Sequence, residues 1–381
     1  MSTPAIAIPA RIPAPPREAN VFGKRVKVFL PKRSDPRLKL FAIIVAIQTV
    51  GQLGLGFKVS IAQILVTMGT CLLLELGVFY FRDGIIAWPA SALQTGNSIS
   101  LLLRASGTVH GDWWSLNGIQ YFIAAAVIGL GAKYLIRPGG KHVFNPANVG
   151  IVWVLIVFGV RFVFPQYLWW GPLNVPVTAA LLIILAGALW LLREPVGMLP
   201  MAASFLGVFY GLVAIFAITG HSFIASWHHG PITGLEYWID IALSPEVFVF
   251  AFFMMSDPRT APPNRKARVI YGVSVAIVSA LLLFPQSTEF GVKLGILSGL
   301  TFICGLVPLI DRVGRWLSTP KAERAQYPID PRGIPGAVRR GVTSPMVVAA
   351  AVISLSAPLI STTLINDRTA TEVERGIINP Q

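Results

Sequence analysis

Apolar runs about as long as a bilayer is thick constrain this chain more than any other feature. They recur near 40–57, 61–81, 86–104, 117–136, 143–164, 175–192, 197–219, 241–256, 268–284 and 292–310, with an eleventh at 345–364. Most hold roughly 18 to 22 residues, enough at about 1.5 Å per residue to cross a hydrocarbon core of roughly 30 Å. Charged residues make up 13% of the 381 residues and hydrophobic ones 54%. That charge fraction is about half the usual value for a soluble domain, so lipid is the main solvent. The fold class expected is an all-α integral membrane protein.

The formal charge of +14 could suggest nucleic acid, but its Lys and Arg sit between apolar runs rather than on one face. That placement signals topology and attraction to anionic headgroups. Nine positives precede the first run, from Arg11 to Lys39. Arg82, Arg137, Lys141 and Arg193 follow at alternate turns, then Arg259, Arg265, Lys266 and Arg268, then seven more from Arg312 to Arg340. The other turns hold Lys58 and Arg104 and carry Trp113, Trp114, Tyr167, Trp169, Trp170 and Trp227. Aromatic rings with a polar handle anchor at the headgroups. The N-terminus is therefore expected in the cytoplasm and the C-terminus outside. Cys71 and Cys304 fall inside spans, which argues against a disulfide framework. No signal peptide is visible.

The organisation expected is a basic, Pro-rich cytoplasmic arm (1–38), a first five-helix half (39–165) and a second (166–311). A basic linker (312–343), an additional transmembrane helix (344–364) and an outer tail (365–381) follow. The third and eighth spans differ from the rest. Pro89 and the Gln94-Thr95-Gly96-Asn97-Ser98 patch interrupt the third, and Pro245-Glu246 and Asp257-Pro258 hem in the eighth. Polar backbone and side chains at that depth must face protein or a cavity. Each is the third element of a block of five, and an odd block inverts its successor. Broken helices at matching positions of inverted repeats mark a mid-membrane site; two ordinary kinked helices are the other explanation.

Residues 137–148 read Arg-Pro-Gly-Gly-Lys-His-Val-Phe-Asn-Pro-Ala-Asn. Pro146 suits the first turn of a helix and Asn145 its cap, with Asn148 one turn on. Capping alone explains Asn145; two amides also suit a ring-shaped ligand rich in hydrogen-bonding groups.

The segments 139–150 and 251–262 (Ala-Phe-Phe-Met-Met-Ser-Asp-Pro-Arg-Thr-Ala-Pro), with the stretch 95–103, resemble the NqrB/RnfD family. Its members are membrane subunits of the sodium-pumping NADH:quinone oxidoreductase and the Rnf complex, with relatives in enediyne clusters. The resemblance spans roughly 35–315. It implies a scaffold similar to urea transporters, ten helices in two inverted halves, placed in a bacterial cytoplasmic (inner) membrane. It also implies a flavin, FMN or riboflavin, held noncovalently near Asn145 and Asn148, with Thr95, Asn97 and Ser98 as further contacts. The family's covalent FMN sits on a threonine in the outer loop after span five. Here 165–172 holds no Ser or Thr, so covalent attachment is not expected. Other redox subunits, and a quinone, are the partners implied. No nucleotide-binding fold or iron–sulfur motif is present, so the electron donor belongs to another chain.

Glu75 is a carboxylate inside an apolar span; a structural partner and a proton or ion role both fit it. Asp257 carries over as a motif residue and a candidate ion or proton site. Lys293 is expected to snorkel. Four of the five histidines fall in outer loops without metal-ligand spacing, so no metal site is expected. The function expected is an electron-transfer subunit, with a small-solute channel or a cofactor-free structural subunit as alternatives. Replacing Asn145 by Leu is expected to lower bound flavin and leave folding largely intact.

Overall fold

The structure is a computed structural model that describes residues 17–21, 23–30, 35–137, 141–166, 174–192 and 197–319. The expected eleventh span, the outer tail, most of the basic linker and the first sixteen residues of the arm lie outside the described residues. So do Tyr167, Trp169 and Trp170 and most of the loop considered for covalent flavin.

The chain begins with a hairpin of β1 (Arg17–Val21) and β2 (Lys24–Phe29), then α1 (Pro36–Gly54) and α2 (Ile61–Val78). Asp35 caps α1, its side chain accepting from Arg37 N at 2.9 Å. A capping box starts α2: Gln63 N donates to Ser60 Oγ, and Ser60 N to Gln63 Oε1. A π-helical turn, Phe79–Asp83, prolongs α2. Then β3 (Ile85–Ala87) runs parallel to β2, with Lys27 opposite Ile85, so the hairpin is tied to the start of the first broken element.

That element is α3 (Ala90–Leu102), 13 residues long and flanked by extended chain. β4 (Leu103–Ala105) pairs antiparallel with β5 (Val163–Pro165). These strand bonds satisfy backbone groups that a bilayer would leave orphaned. Between them lie α4 (Ile119–Leu135) and α5 (Pro146–Phe158). A Cβ at Gly129 would strike Pro146 O, and one at Gly150 would strike Ala125 O. Backbone approach this close is how small residues pack helices without a hydrophobic driving force. α5 ends at Phe158, earlier than the apolar run suggests, because Gly159 turns the chain at φ 69°. Arg161, absorbed in the expected span, is exposed beyond it.

The rest consists of α6 (Val175–Leu192), α7 (Leu199–Ile218), a short pair β6 (Ser222–Phe223) and β7 (Ile232–Thr233), and then α8 (Gly234–Ala242) and α9 (Pro245–Val249). A π-helical turn, Phe250–Met254, continues α9. The second broken element is thus a crossing of 21 residues, longer than the stretch 241–256 expected from apolarity. α10 (Arg265–Leu283) and α11 (Glu289–Ser318) close the described chain.

Among the described residues, seven helical segments are long and apolar enough to cross a membrane, and α4 and α5 are shorter apolar helices. Leu65, Leu73, Leu182 and Leu281 lie exposed on them, as a lipid-facing surface requires. One end of the bundle, the basic end, gathers Arg137, Arg259, Arg265 and Lys266. The opposite end carries Trp113 and Trp114.

A candidate cofactor cavity between the broken helices

A cavity of about 360 Å³ opens at the basic end, walled by the starts of α1, α3 and α5, the end of α6 and the segment after α9. Leu40, Leu192 and Phe253 supply apolar wall, and Ser91, Gln94, Thr95 and Ser98 present one polar face of α3. These positions are three and four apart, so a helix places them on one side. Gln94 Nε2 donates to Ser98 Oγ at 3.1 Å, while Gln94 Oε1 is buried without a partner among the described residues. A buried acceptor left unmade costs about 1–3 kcal/mol.

Asn145 also lines the cavity, but its amide is committed. Its Oδ1 accepts from Asn148 N at 3.1 Å, capping α5, and its Nδ2 donates to Met254 O at 3.1 Å. Asn145 thus ties α5 to the turn that continues α9, so its loss is expected to cost some stability as well. Asn148 is buried beside the cavity and does not line it. Its Nδ2 donates to Leu297 O and Thr301 Oγ1 at 2.9 and 2.8 Å. Asn97 likewise turns away, Nδ2 donating to Phe41 O at 3.3 Å. Thr95, Ser98, Asn145 and Asp257 thus meet at one cavity, and Asn97, Asn148 and Glu75 stand behind its wall.

Asp257 begins the turn that leaves α9: its Oδ1 accepts from Arg259 N at 3.0 Å and its carbonyl from Ala261 N at 2.9 Å. At the rim, Arg37 forks onto Asp35, and this hydrogen bonding holds the Asp35 carboxyl below the usual carboxylate range. His142, in the loop before α5, also lines the cavity. Burial pushes it down to about 4, against the opposing pull of Asp257, so it is a neutral imidazole near pH 7.

Behind Ser91 lies a buried ion pair. Lys133 of α4 contacts Glu75 Oε1 and donates to Ser91 Oγ at 2.9 Å. Glu75 also accepts from Tyr134 OH at 2.6 Å and from Ala92 N at 2.9 Å. It therefore caps α3 from a neighbouring helix. Of the two roles left open for Glu75, a structural partner is what the geometry supplies.

Lys293 does not snorkel. It is 4% exposed and sits 2.7 Å from Glu246 and 2.5 Å from Glu289, also donating to Gln166 O at 3.1 Å. Two buried carboxylates within reach outweigh what a four-carbon stem gains by stretching to the headgroups. Sequence reasoning missed Lys133, Gln94 and His142 as site residues. Gln94 and His142 stood inside segments already singled out, and Lys133 was hidden because Leu135 and Ile136 extend the apolar run past it.

Among the described residues, no group of three or more His, Cys, Asp and Glu gathers as metal ligands. His228 instead faces Glu236 at 3.2 Å.

The fold is that of a multi-pass α-helical membrane protein with a polar cavity between two broken helices. Residues 168–316 match the family described as NQR2, RnfD, RnfE, which bears out the resemblance carried by the motifs. Over that segment, somewhat under half of the chain, the sequence is similar to this family. None of the curated proteins matches the chain.

Proposed function

We propose that this chain is an electron-transfer subunit of a membrane redox complex, of the kind its family forms, and that it holds a flavin noncovalently in the cavity at the basic end. The unmatched Gln94 Oε1 carries the reading. A flavin ring offers an imide N–H for such an acceptor, a flat apolar body for Phe253 and Leu40, and a carbonyl for the hydroxyl of Ser98. A volume of about 360 Å³ falls in the ordinary range of ligand sites, about 300–1,000 Å³. When bound, the flavin would accept and release electrons one or two at a time.

The chain's own residues would bind and orient it. Asn145 fixes the gap between α5 and the end of α9, the Glu75–Lys133 pair fixes the start of α3, and neutral His142 offers a hydrogen bond without adding charge. Arg37 and Arg259 border the mouth, where they favour an anionic partner or phosphate over a cationic one. Covalent attachment is not part of this reading. The order of crossings supports an inverted pairing of α1–α5 with α6–α11, with α3 and α8–α9 as matching broken elements. It also fits an inner membrane with the basic end in the cytoplasm. Other redox subunits would supply and take the electrons, and a quinone is one such acceptor.

Purified protein decides between this and a small-solute channel. A flavin absorbance band bleached by dithionite supports the proposal. Colourless protein that conducts solute in proteoliposomes would sink it, and colourless, inactive protein co-purifying with a redox complex would leave a structural subunit.

A further inference from the structure

A second, smaller polar cavity lies deeper in the bundle, with Met254 lining both it and the cofactor cavity. Gln166, just after β5, is 1% exposed, and neither its Oε1 nor its Nε2 has a partner among the described residues. It forms the wall of a cavity of about 40 Å³ together with Glu246, Lys293 and apolar side chains that include Leu102 and Phe250. A buried water needs at least about 10–15 Å³ of such space, so the cavity admits one or two waters and nothing much larger.

The adjoining charges are two carboxylates around one ammonium. Lys293 lies within ion-pair distance of Glu246 and Glu289 and donates to Gln166 O. Glu289 further accepts from Trp227 Nε1 at 3.2 Å. The charged groups facing Glu246 are Lys293 and Glu289 on α11. On β4, Arg104 stacks over Phe164 with its guanidinium 4.6 Å from the ring centroid. One ammonium can balance only one of the two carboxylates it touches, so the cluster has room for one further positive charge.

We propose that this cluster is a proton-binding site: Glu246 carries an exchangeable proton, and a buried water joins it to the Gln166 amide. Protonated Glu246 is a donor, which Gln166 Oε1 lacks, and the water accepts from Gln166 Nε2. A proton fits better than a metal ion, because any cation in this cavity would sit beside the Lys293 ammonium with few oxygens to compensate. The transfer is a simple exchange: solvent gives one proton to a carboxylate oxygen of Glu246 and takes it back, and no electron moves.

Infrared difference spectroscopy on the full chain in proteoliposomes tests this. Near neutral pH it should show one carboxylic C=O band that shifts in D2O, disappears in Glu246→Gln and persists in Glu75→Gln. Gln166→Leu, which preserves every ion pair, should move the band to higher frequency as its hydrogen bond is lost. No exchangeable carboxyl band in the wild type would overturn the proposal. So would a band that survives Glu246→Gln, one unmoved by Gln166→Leu, or one abolished by sodium alone at constant pH.

Discussion

Replacing Lys133 by Met removes the ammonium from a site where Glu75 is 1% exposed and keeps nearly the same volume. Two losses follow. The hydrogen bond to Ser91 Oγ is worth about 0.5–1.5 kcal/mol net. Stranding a buried carboxylate costs more: breaking a buried pair from one side typically destabilises by about 3–5 kcal/mol. The single variant should therefore lose about 3.5–6.5 kcal/mol. The double variant Lys133→Met with Glu75→Gln should be far milder. The introduced glutamine amide still accepts from Ala92 N and still meets Tyr134 OH, with no charge left to strand, so the expected cost is about 1–2 kcal/mol. Steric-trap unfolding in bicelles measures both, with detergent thermal melts as a check. A single variant no less stable than the double would refute the reasoning, because it would mean that Glu75 is not held as an anion by Lys133.

Three other outcomes follow from the same geometry. Gly150→Val should destabilise by at least about 1–3 kcal/mol, the usual range for overpacking, since its side chain would strike the backbone carbonyl of Ala125; a thermal melt equal to wild type would contradict the packing. The His142 folded-state value lies below the unfolded value of about 6.5, so its contribution is fully present above pH 6.5 and is lost as pH falls toward about 4. His142→Phe should flatten the pH dependence of melting in that window, where one proton accounts for at most about 1.4 kcal/mol per pH unit. Asn145→Leu should cost about 0.5–2 kcal/mol through the lost cap of α5, visible as a lower melting temperature even in flavin-free protein.

What the sequence made legible was whatever the bilayer dictates. Apolar length located seven candidate crossings among the described residues, and interruptions such as Pro89 and Pro245 marked the broken elements, because lipid tolerates a broken helix only beside protein. The polar face of α3 was readable from the 94–98 patch, though periodicity alone could not show that Asn97 turns from the cavity while Gln94 faces it. Partnerships across helices were not legible. Lys133 and Glu75 are 58 residues apart, Lys293 contacts Glu246 on another helix, and nothing local distinguishes a paired lysine from a snorkelling one. The short strands escaped notice for a similar reason. Pairs such as Leu103 with Pro165 arise from where tertiary packing leaves two helix ends, and neither segment announces itself by alternation.

The central claim is that a flavin lies against α3 at the basic end. Ser98→Phe would fill that face of the cavity while leaving the Asn145 and Glu75 contacts intact. The decisive measurement is the flavin released per chain from gently solubilised wild-type and Ser98→Phe complexes of equal subunit content. The account predicts about one flavin from the wild type at this site and its loss in the variant. Equal flavin in both, or none in either, would contradict it.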